Sequence, residues 1–484
     1  MFSPRGAGFI KPIMKLSMLT GGSVLFALDL VLVTVAWPLV LWMGWSAPIA
    51  VLETPLDVWC LLHPVVDLLA LYAMGLYRRE AILETRKSAA RVPLVVGFGV
   101  VGAMILTIAL AQINADLFRR LDGPRQALVL ALAGFCFCGC AFLARLAVYV
   151  LLRRRVLRRR VLVVGAGQRA WDLLWMLSQE GGNLDYEVTF YQEPAFGQID
   201  PRLAANPTVR IFMATETDVL AAAKLLRADE IVVAPDDRRG MNLEPLLKCK
   251  KAGYPVVQYL SFVEKEIRRV DLKRMDLGWI LYSDGFYFGV LDRVLKRLFD
   301  ILAVTLVLLP ASPLLLAAMI AIRWEGAGGV FYRQVRVTLN NRQFQILKLR
   351  TMRVDAEAGG AIWAMQQDNR ITRVGAFLRR TRIDELPQLF NVLIGDMAFV
   401  GPRPERPAFV AELAKKIPLY NERHMVKAGL TGWAQINYPY GASVNDARSK
   451  LSYDLYYVKN FSILFDFVIL LQTIRVVLWP SGVR

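Results

Sequence analysis

Three observations predict a chain that is part membrane α-helix and part α/β. Four apolar stretches long enough to cross a bilayer crowd into the first third; the middle alternates strand-like and helix-like runs; the last third turns arginine-rich after one more apolar stretch, this one broken by two prolines. In order, these give a four-helix transmembrane bundle over residues 1–155 and a parallel α/β domain over 156–285. A mostly α-helical domain over 286–484 follows, seated on the membrane by a re-entrant helix at about 298–322.

The 484 residues suffice for several cores. A hydrophobic fraction of 55% and a mean hydropathy of +0.39 exceed those of an ordinary soluble protein, yet 21% of residues are charged. The net charge of +18 suits an anionic membrane surface or a phosphorylated substrate. No aromatic-rich basic module is visible, so nucleic acid is not an expected partner. With 5 cysteines, 2 histidines and no CxxC pair, neither a zinc site nor a disulfide framework is expected. Cys136, Cys138 and Cys140 lie in an apolar helix, where packing or lipid contact is their expected role.

The four spans fall at 19–43, 56–77, 92–112 and 126–152. Lys11 and Lys15 precede the first, Arg78, Arg79, Arg86, Lys87 and Arg91 fill the second connection, and Arg153, Arg154, Arg155, Arg158, Arg159 and Arg160 follow the fourth. The first connection has no Lys or Arg; the third, where the bias is weakest, mixes Arg119, Arg120 and Arg125 with Asp116 and Asp122. By the positive-inside rule both ends of the bundle face the cytoplasm. The first apolar run is too long for a cleavable signal and no small-residue cleavage site follows it. Asp29, Asp57 and Asp67 lie in or beside spans, at functional, packing or interfacial positions.

After the arginine run, Arg160-Val-Leu-Val-Val-Gly165-Ala166-Gly167-Gln168-Arg169-Ala170 reads as strand, glycine turn and helix, with the helix continuing over 171–178. Further strands at 187–191, 209–213, 230–234 and 256–259 alternate with helices, giving a Rossmann-like sheet. Gly165 and Gly167 are candidates for bringing backbone amides against a pyrophosphate, with Glu193 placed to hold a ribose; the alternative is a degenerate domain used for assembly. No tyrosine of this domain is followed four places later by lysine, which argues against dehydratase or epimerase chemistry.

Stretch 298–322 is again long enough to span, but reads Leu309-Pro310-Ala311-Ser312-Pro313 at its middle. Two prolines remove two helix hydrogen bonds, and Ser312 can satisfy a freed carbonyl. Arg293, Lys296 and Arg297 precede it; Arg323, Arg333 and Arg336 follow. Basic flanks on both sides favour a segment that dips in, turns at Ser312-Pro313 and returns.

The last third sets Asp384 and Glu385 among Arg379, Arg380, Arg382 and, further on, Gly401-Pro-Arg403-Pro. Neighbours on a helix lie about 100° apart, so one carboxylate can attack phosphorus while the other holds Mg²⁺. Arginines fit phosphate oxygens, and their charge is expected to lower the carboxylate pKa. The plain alternative is a solvated ion-pair cluster. Lys348 and Arg350 are further phosphate-binding candidates; His424 reads as structural or surface.

These islands, with Lys427-Ala428-Gly429-Leu-Thr-Gly-Trp433-Ala-Gln435 and Tyr453-Asp454-Leu-Tyr-Tyr-Val-Lys-Asn460, resemble the bacterial sugar transferase family from about residue 291 to the end. These are polyprenyl-phosphate hexose-1-phosphate transferases, or monotopic phosphoglycosyl transferases, and the three-part layout resembles their large members. The stretch 466–479 resembles the branch tied to exosortase-linked exopolysaccharide loci. The resemblance implies a bacterial inner-membrane enzyme, working at the cytoplasmic face, that passes hexose 1-phosphate from a UDP-sugar to undecaprenyl phosphate and releases UMP. It implies Asp384 as nucleophile, Glu385 as the Mg²⁺ ligand, Arg379 and Arg403 as phosphate grips, and Ser312 and Pro313 as the break of the re-entrant helix. Lys296, Arg297 and Asp300 match the approach to that helix, where they order its return or meet the lipid phosphate. Ala428 departs from the family's usual proline, which bears on the stiffness of that loop. Residues 461–479 read as a surface-lying helix. A dimer through the bundle or the central domain is a further expectation.

Overall fold

The computed structural model describes residues 21–44, 58–78, 81–82, 85–113, 123–154, 158–179, 186–215, 217–275, 280–281, 283, 285–286, 289–353, 370–439, 441 and 443–478. Lys11, Lys15, Asp57, Arg79, Asp116, Arg119, Arg120, Asp122 and Arg155 lie outside the described residues, as do the side chains of Arg86, Lys87, Arg125 and Arg153. The chain forms two compact units, Met1–Ile267 and Arg268–Arg484.

In the first unit, four helices precede the sheet: α1 (Gly21–Gly44), α2 (Val58–Ala73), α3 (Thr85–Ile113) and α4 (Gly123–Arg153). Val24 and Leu25 of α1 pack on Ala144, Val148 and Leu152 of α4. Ser88–Leu106 and Gly134–Leu152 are long and apolar enough to cross a membrane; the described apolar runs of α1 and α2, Gly22–Val35 and Pro64–Ala73, are shorter. Val35, Ile105, Phe135 and Leu143 are exposed, a surface for lipid to cover. Asp29 and Asp67 face inward: Asp29 lies 3.5 Å from Arg145, and Asp67 is buried against Gly99. Packing positions were among those expected of these acids. Cys140 lies against the Leu32 carbonyl, with its thiol free.

The central sheet is entirely parallel, in the order β3 (Arg210–Met213), β2 (Tyr186–Gln192), β1 (Arg159–Val164), β4 (Glu230–Val233), β5 (Val256–Gln258). This is the doubly wound order. In the central strand, residues 161–164 are a run of aliphatics because both faces are covered there. Val161 and Val163 enter one core with Leu173, Leu177, Phe262 and Val263 of helices α5 (Gln168–Gln179) and α8 (Tyr259–Ile267). Leu162 and Val164 enter the other with Val219, Ala222, Leu246 and Cys249 of α6 (Val219–Leu226) and α7 (Glu244–Lys251). All five expected strands form within a residue or two of their expected ends.

The second unit starts at Arg268, upstream of the expected boundary at 286, because the preceding segment packs into it. Val270 donates to the Ser452 carbonyl at 3.1 Å, and Val270 and Met275 join Val410, Leu413 and Leu455 in one core. Its first long element is α9, Val290–Glu325, which is helical throughout and contains both Pro310 and Pro313. The Ser312 hydroxyl donates to the Leu309 carbonyl at 2.8 Å. The antiparallel hairpin β6 (Phe331–Val337) and β7 (Gln343–Leu349) comes next. Then come α10 (Arg373–Arg380), a 3₁₀ turn at Ile383–Glu385, α11 (Gln388–Ile394), and β8 (Ala398–Val400), which pairs in parallel with β9 (Gly429–Thr431). Helices α12 (Pro407–Lys416), α13 (Trp433–Asn437), α14 (Val444–Lys459) and α15 (Ile463–Leu478) complete the unit.

Both halves of α9 are held by this one globular body. Ala303 and Val304 pack among Phe344, Leu389 and Val400, while Leu315, Ala318 and Ile322 pack on Leu349, Leu378 and Ile383. Near its start, Arg297 donates to the Val392 and Leu393 carbonyls at 2.6 and 2.5 Å, closing the C-terminal end of α11. At its end, Glu325 accepts from the Val374 amide at 2.9 Å.

Candidate active site

The site is assembled from the end of β7, the 3₁₀ turn and the loop after β8. Phe344, Ile346 and Lys348 share one face of β7. The first two fill the core, and Lys348, at the strand's end, reaches Glu385 Oε1 at 3.0 Å. Asn391 fixes α11 to this strand: its side chain accepts from the Leu347 amide at 2.9 Å and donates to the Gln345 carbonyl at 2.8 Å. Helix α10 is capped by Thr372, which accepts from Gly375 at 3.0 Å. After α10 the chain turns sharply because Arg382 adopts the left-handed region, φ 61°. That turn starts the 3₁₀ segment and separates the two acids.

Asp384 and Glu385 meet opposite surroundings. Glu385 Oε1 takes Lys348 at 3.0 Å and Arg403 Nη2 at 2.9 Å, and Oε2 lies 3.7 Å from Arg382. Burial pushes its pKa up, but Lys348, Arg403 and Arg382 together outweigh it and hold the carboxyl well below the usual range. Asp384 is buried, and among the described residues nothing is hydrogen-bonded or ion-paired to its carboxylate. Burial raises its pKa more than Lys348, Arg379 and Arg382 lower it, and the Glu385 charge raises it further. The expected lowering is therefore found at Glu385 and not at Asp384. Nearby cations, Lys348 also by hydrogen bond, decide the first; desolvation decides the second, where the cations act only at a distance. One acid is tied down as an anion; its neighbour keeps its lone pairs free.

Of the expected phosphate grips, Lys348 and Arg403 meet at Glu385, and Arg379 acts on Asp384 through charge. Arg350 is elsewhere engaged, donating to the Ala327 and Gly326 carbonyls at 2.7 and 3.2 Å at the exit of α9. Lys296 is also spent internally, on Asp466 at 2.7 Å, Asp300 at 2.9 Å and the Val400 carbonyl at 3.1 Å. Asp300 accepts from the Phe399 amide at 3.0 Å. Lys296, Arg297 and Asp300 thus order the start of α9 against β8 and α11. His424 is buried with Nδ1 2.7 Å from Asn341, and burial with the nearby Arg423 charge pushes its pKa down to about 3, a structural role. At Ala428, the amide that a proline would lack donates to Thr338 Oγ1 at 3.1 Å.

The glycine loop of the central sheet is built as expected and filled by the chain itself. Gly165 sits at φ +106°, against the Ala234–Pro235 backbone. The amides of Gln168 and Arg169, which open α5, donate to Asp236 Oδ2 and Oδ1 at 2.7 and 2.8 Å. The Asp236 carboxylate also approaches Gly167 where a Cβ would stand. An aspartate thus takes the anion's place at this helix start. Glu193 precedes the Pro194–Phe196 turn.

Sequence reasoning assigned no role to Tyr420, Arg423 or Asn391. Asp454 carried a faint signal: it lies among Leu451, Leu455 and Val458 on the core face of α14, where a charge demands a buried partner.

The family model described as "Bacterial sugar transferase" matches residues 291–480, the segment that holds this site. An exopolysaccharide production protein PSS of Rhizobium leguminosarum bv. phaseoli is 40% identical over 190 residues, 38% of this chain and 95% of that protein. The chain belongs to the bacterial sugar transferase family. Within that family it is 40% identical over 264 residues to a UDP-N-acetylgalactosamine-undecaprenyl-phosphate N-acetylgalactosaminephosphotransferase of Aeromonas hydrophila, covering 54% of this chain and 61% of the relative. It is 40% identical over 185 residues to a UDP-glucose:undecaprenyl-phosphate glucose-1-phosphate transferase of Escherichia coli K12, covering 38% and 40%. The chain therefore spans less than two thirds of the length of these two relatives.

Proposed function

We propose that this sugar transferase moves a hexose 1-phosphate or N-acetylhexosamine 1-phosphate from a UDP-sugar to undecaprenyl phosphate, releasing UMP, as the first step of an exopolysaccharide repeat unit. The observation that carries the reading is the division of labour at the acidic pair, with Asp384 buried and unbonded beside a Glu385 held by Lys348 and Arg403. A free carboxylate oxygen of Asp384 attacks the phosphorus bearing the sugar. The bond from that phosphorus to the bridging oxygen breaks, and UMP leaves with the electron pair. An oxygen of the lipid phosphate then attacks the same phosphorus, and Asp384 leaves as carboxylate. Arg379, Arg382 and Arg403 line the route along which phosphate charge accumulates and redistributes.

A magnesium ion bound here would be held by Glu385, whose carboxylate is already shared by Lys348, Arg403 and Arg382; no cluster of three metal-ligating side chains occurs among the described residues, so water and substrate phosphate would supply the rest of its shell. Bound there, it would neutralise phosphate charge.

We place the site at the cytoplasmic face of the inner membrane, in a chain whose first unit crosses that membrane four times. Helix α9 re-enters rather than crosses. A crossing helix would hand its ends to opposite sides of the bilayer, whereas Arg297 and Glu325 both bond to one globular body. The test is UMP release by detergent-purified full-length protein with Mg²⁺, undecaprenyl phosphate and a panel of UDP-sugars. Multiple-turnover release with one donor, limited to about one equivalent per protein without the lipid phosphate and lost in Asp384→Asn, is expected. Silence across UDP-, GDP- and TDP-sugars in folded protein would overturn the reading.

A further inference from the structure

Arg403 sits in the segment Gly401-Pro402-Arg403-Pro404-Glu405, where the two prolines leave three backbone amides, of which Gly401 donates to the Thr431 carbonyl at 2.8 Å. From Pro402 onward the segment is held by its carbonyls, four in a row. Pro402 accepts from the Gly429 amide at 2.8 Å, Arg403 from Arg423 Nη2 at 3.0 Å, Pro404 from Arg336 Nη1 at 3.1 Å and Glu405 from the Val337 amide at 3.0 Å. The holder at Arg403 itself is a buried side chain. Arg423 is 5% exposed and pairs with Asp454, 2% exposed, at 2.7 Å; its other terminal nitrogen donates to the Tyr420 hydroxyl at 2.7 Å. A guanidinium can serve carbonyl, carboxylate and hydroxyl together from one rigid fork; an ammonium cannot hold that geometry.

We infer that the buried Asp454–Arg423 pair is a positioning device for the transferase reaction: by gripping the Arg403 carbonyl it aims the Arg403 guanidinium at Glu385. This rests on the proposed function, and assigns Asp454, Arg423 and Tyr420 work through Arg403 without contact to substrate. Removing Asp454 would strand a buried charge and threaten the fold, so the informative change is Arg423→Lys, which keeps the charge.

The experiment is a double-mutant cycle in the full-length protein, measuring UMP release for Arg423→Lys in the wild-type and Arg403→Ala backgrounds. In the wild-type background the turnover falls by about ten- to a hundredfold; in the Arg403→Ala background the same change has less than about a twofold effect. An equal loss in both backgrounds would show a general structural role and overturn the inference, as would no loss in either. Should Arg423→Lys fail to fold, Tyr420→Phe, which deletes one hydroxyl, replaces it in the same cycle with a smaller loss that likewise disappears. A structure of the full-length variant reads the positioning without turnover. Arg403 out of hydrogen-bond reach of Glu385 supports it, and Arg403 unmoved overturns it. That readout stands even if the wild type transfers no sugar phosphate, an outcome that would sink the reaction and leave the geometry to be judged alone.

Discussion

Asp384 and Glu385 are consecutive in the chain, yet the pKa of the first is raised and that of the second strongly lowered. The difference comes from the 3₁₀ turn, which points Glu385 at Lys348 and Arg403 and leaves Asp384 in a buried, unbonded position. One residue holds a fixed charge, and the other keeps its carboxylate free for the nucleophilic role proposed for it.

The activity of the enzyme should depend on pH through Asp384. A raised pKa means that the carboxylate takes up its proton at a pH where a free aspartate is still ionised. Attack needs the ionised form, so the rate falls with acidification through a value higher than that of a free aspartate. Because the Arg379 charge lowers this pKa, Arg379→Gln should move the acid limb to higher pH as well as slow the reaction. A pH–rate profile under single-turnover conditions checks both; a limb moving to lower pH would contradict the assignment.

Lys348 and Arg350, two residues apart on the strand and its exit, should separate cleanly. Lys348→Met removes a cation from Glu385 and is expected to cost about 10²-fold in turnover with little change in melting temperature. Arg350→Met leaves the Gly326 and Ala327 carbonyls without their donor and is expected to cost about 1–2 kcal/mol of stability while sparing most turnover in protein that remains folded. Melting curves and UMP release measured side by side distinguish the two.

The ordering of these site residues shows what the sequence could carry. The first strand is readable because residues 161–164 are an apolar run ended by glycines, and the acidic pair because its neighbours are so basic. Arg350 reads as a phosphate grip by its company; that it also donates to the Gly326 and Ala327 carbonyls at the exit of α9 depends on a contact the sequence does not display. The raised pKa of Asp384 could not be read from composition, since burial is a property of the folded site. Asp236 lies far along the chain from Gly167, so only the parallel order of β1 and β4 brings them together.

The glycine loop should be closed in the wild type. Hydrogen exchange of the full-length protein is expected to show the Gln168 and Arg169 amides protected, unchanged by added NAD or inorganic pyrophosphate. In Asp236→Ala the two amides should lose protection. Nucleotide-dependent protection in the wild type would mean that a ligand displaces Asp236.

Topology is open to a direct test. With single reporter cysteines at Arg293 and Arg323 in an otherwise cysteine-free chain, a membrane-impermeant maleimide should label both in inside-out vesicles and neither in intact spheroplasts. Labelling of one from each side would make α9 a crossing helix and remove the support for re-entry.

The central claim is that Asp384 carries the phosphosugar between donor and lipid, and the most direct measurement is mass spectrometry of full-length protein mixed with Mg²⁺ and the preferred UDP-sugar without any lipid phosphate. The expected result is about one equivalent of UMP per protein and a phosphosugar adduct on the peptide containing Asp384, both absent in Asp384→Asn and the adduct discharged when undecaprenyl phosphate is added. Release of UMP only when the lipid phosphate is present, with no adduct at any time, would contradict it and point to direct transfer between the two substrates.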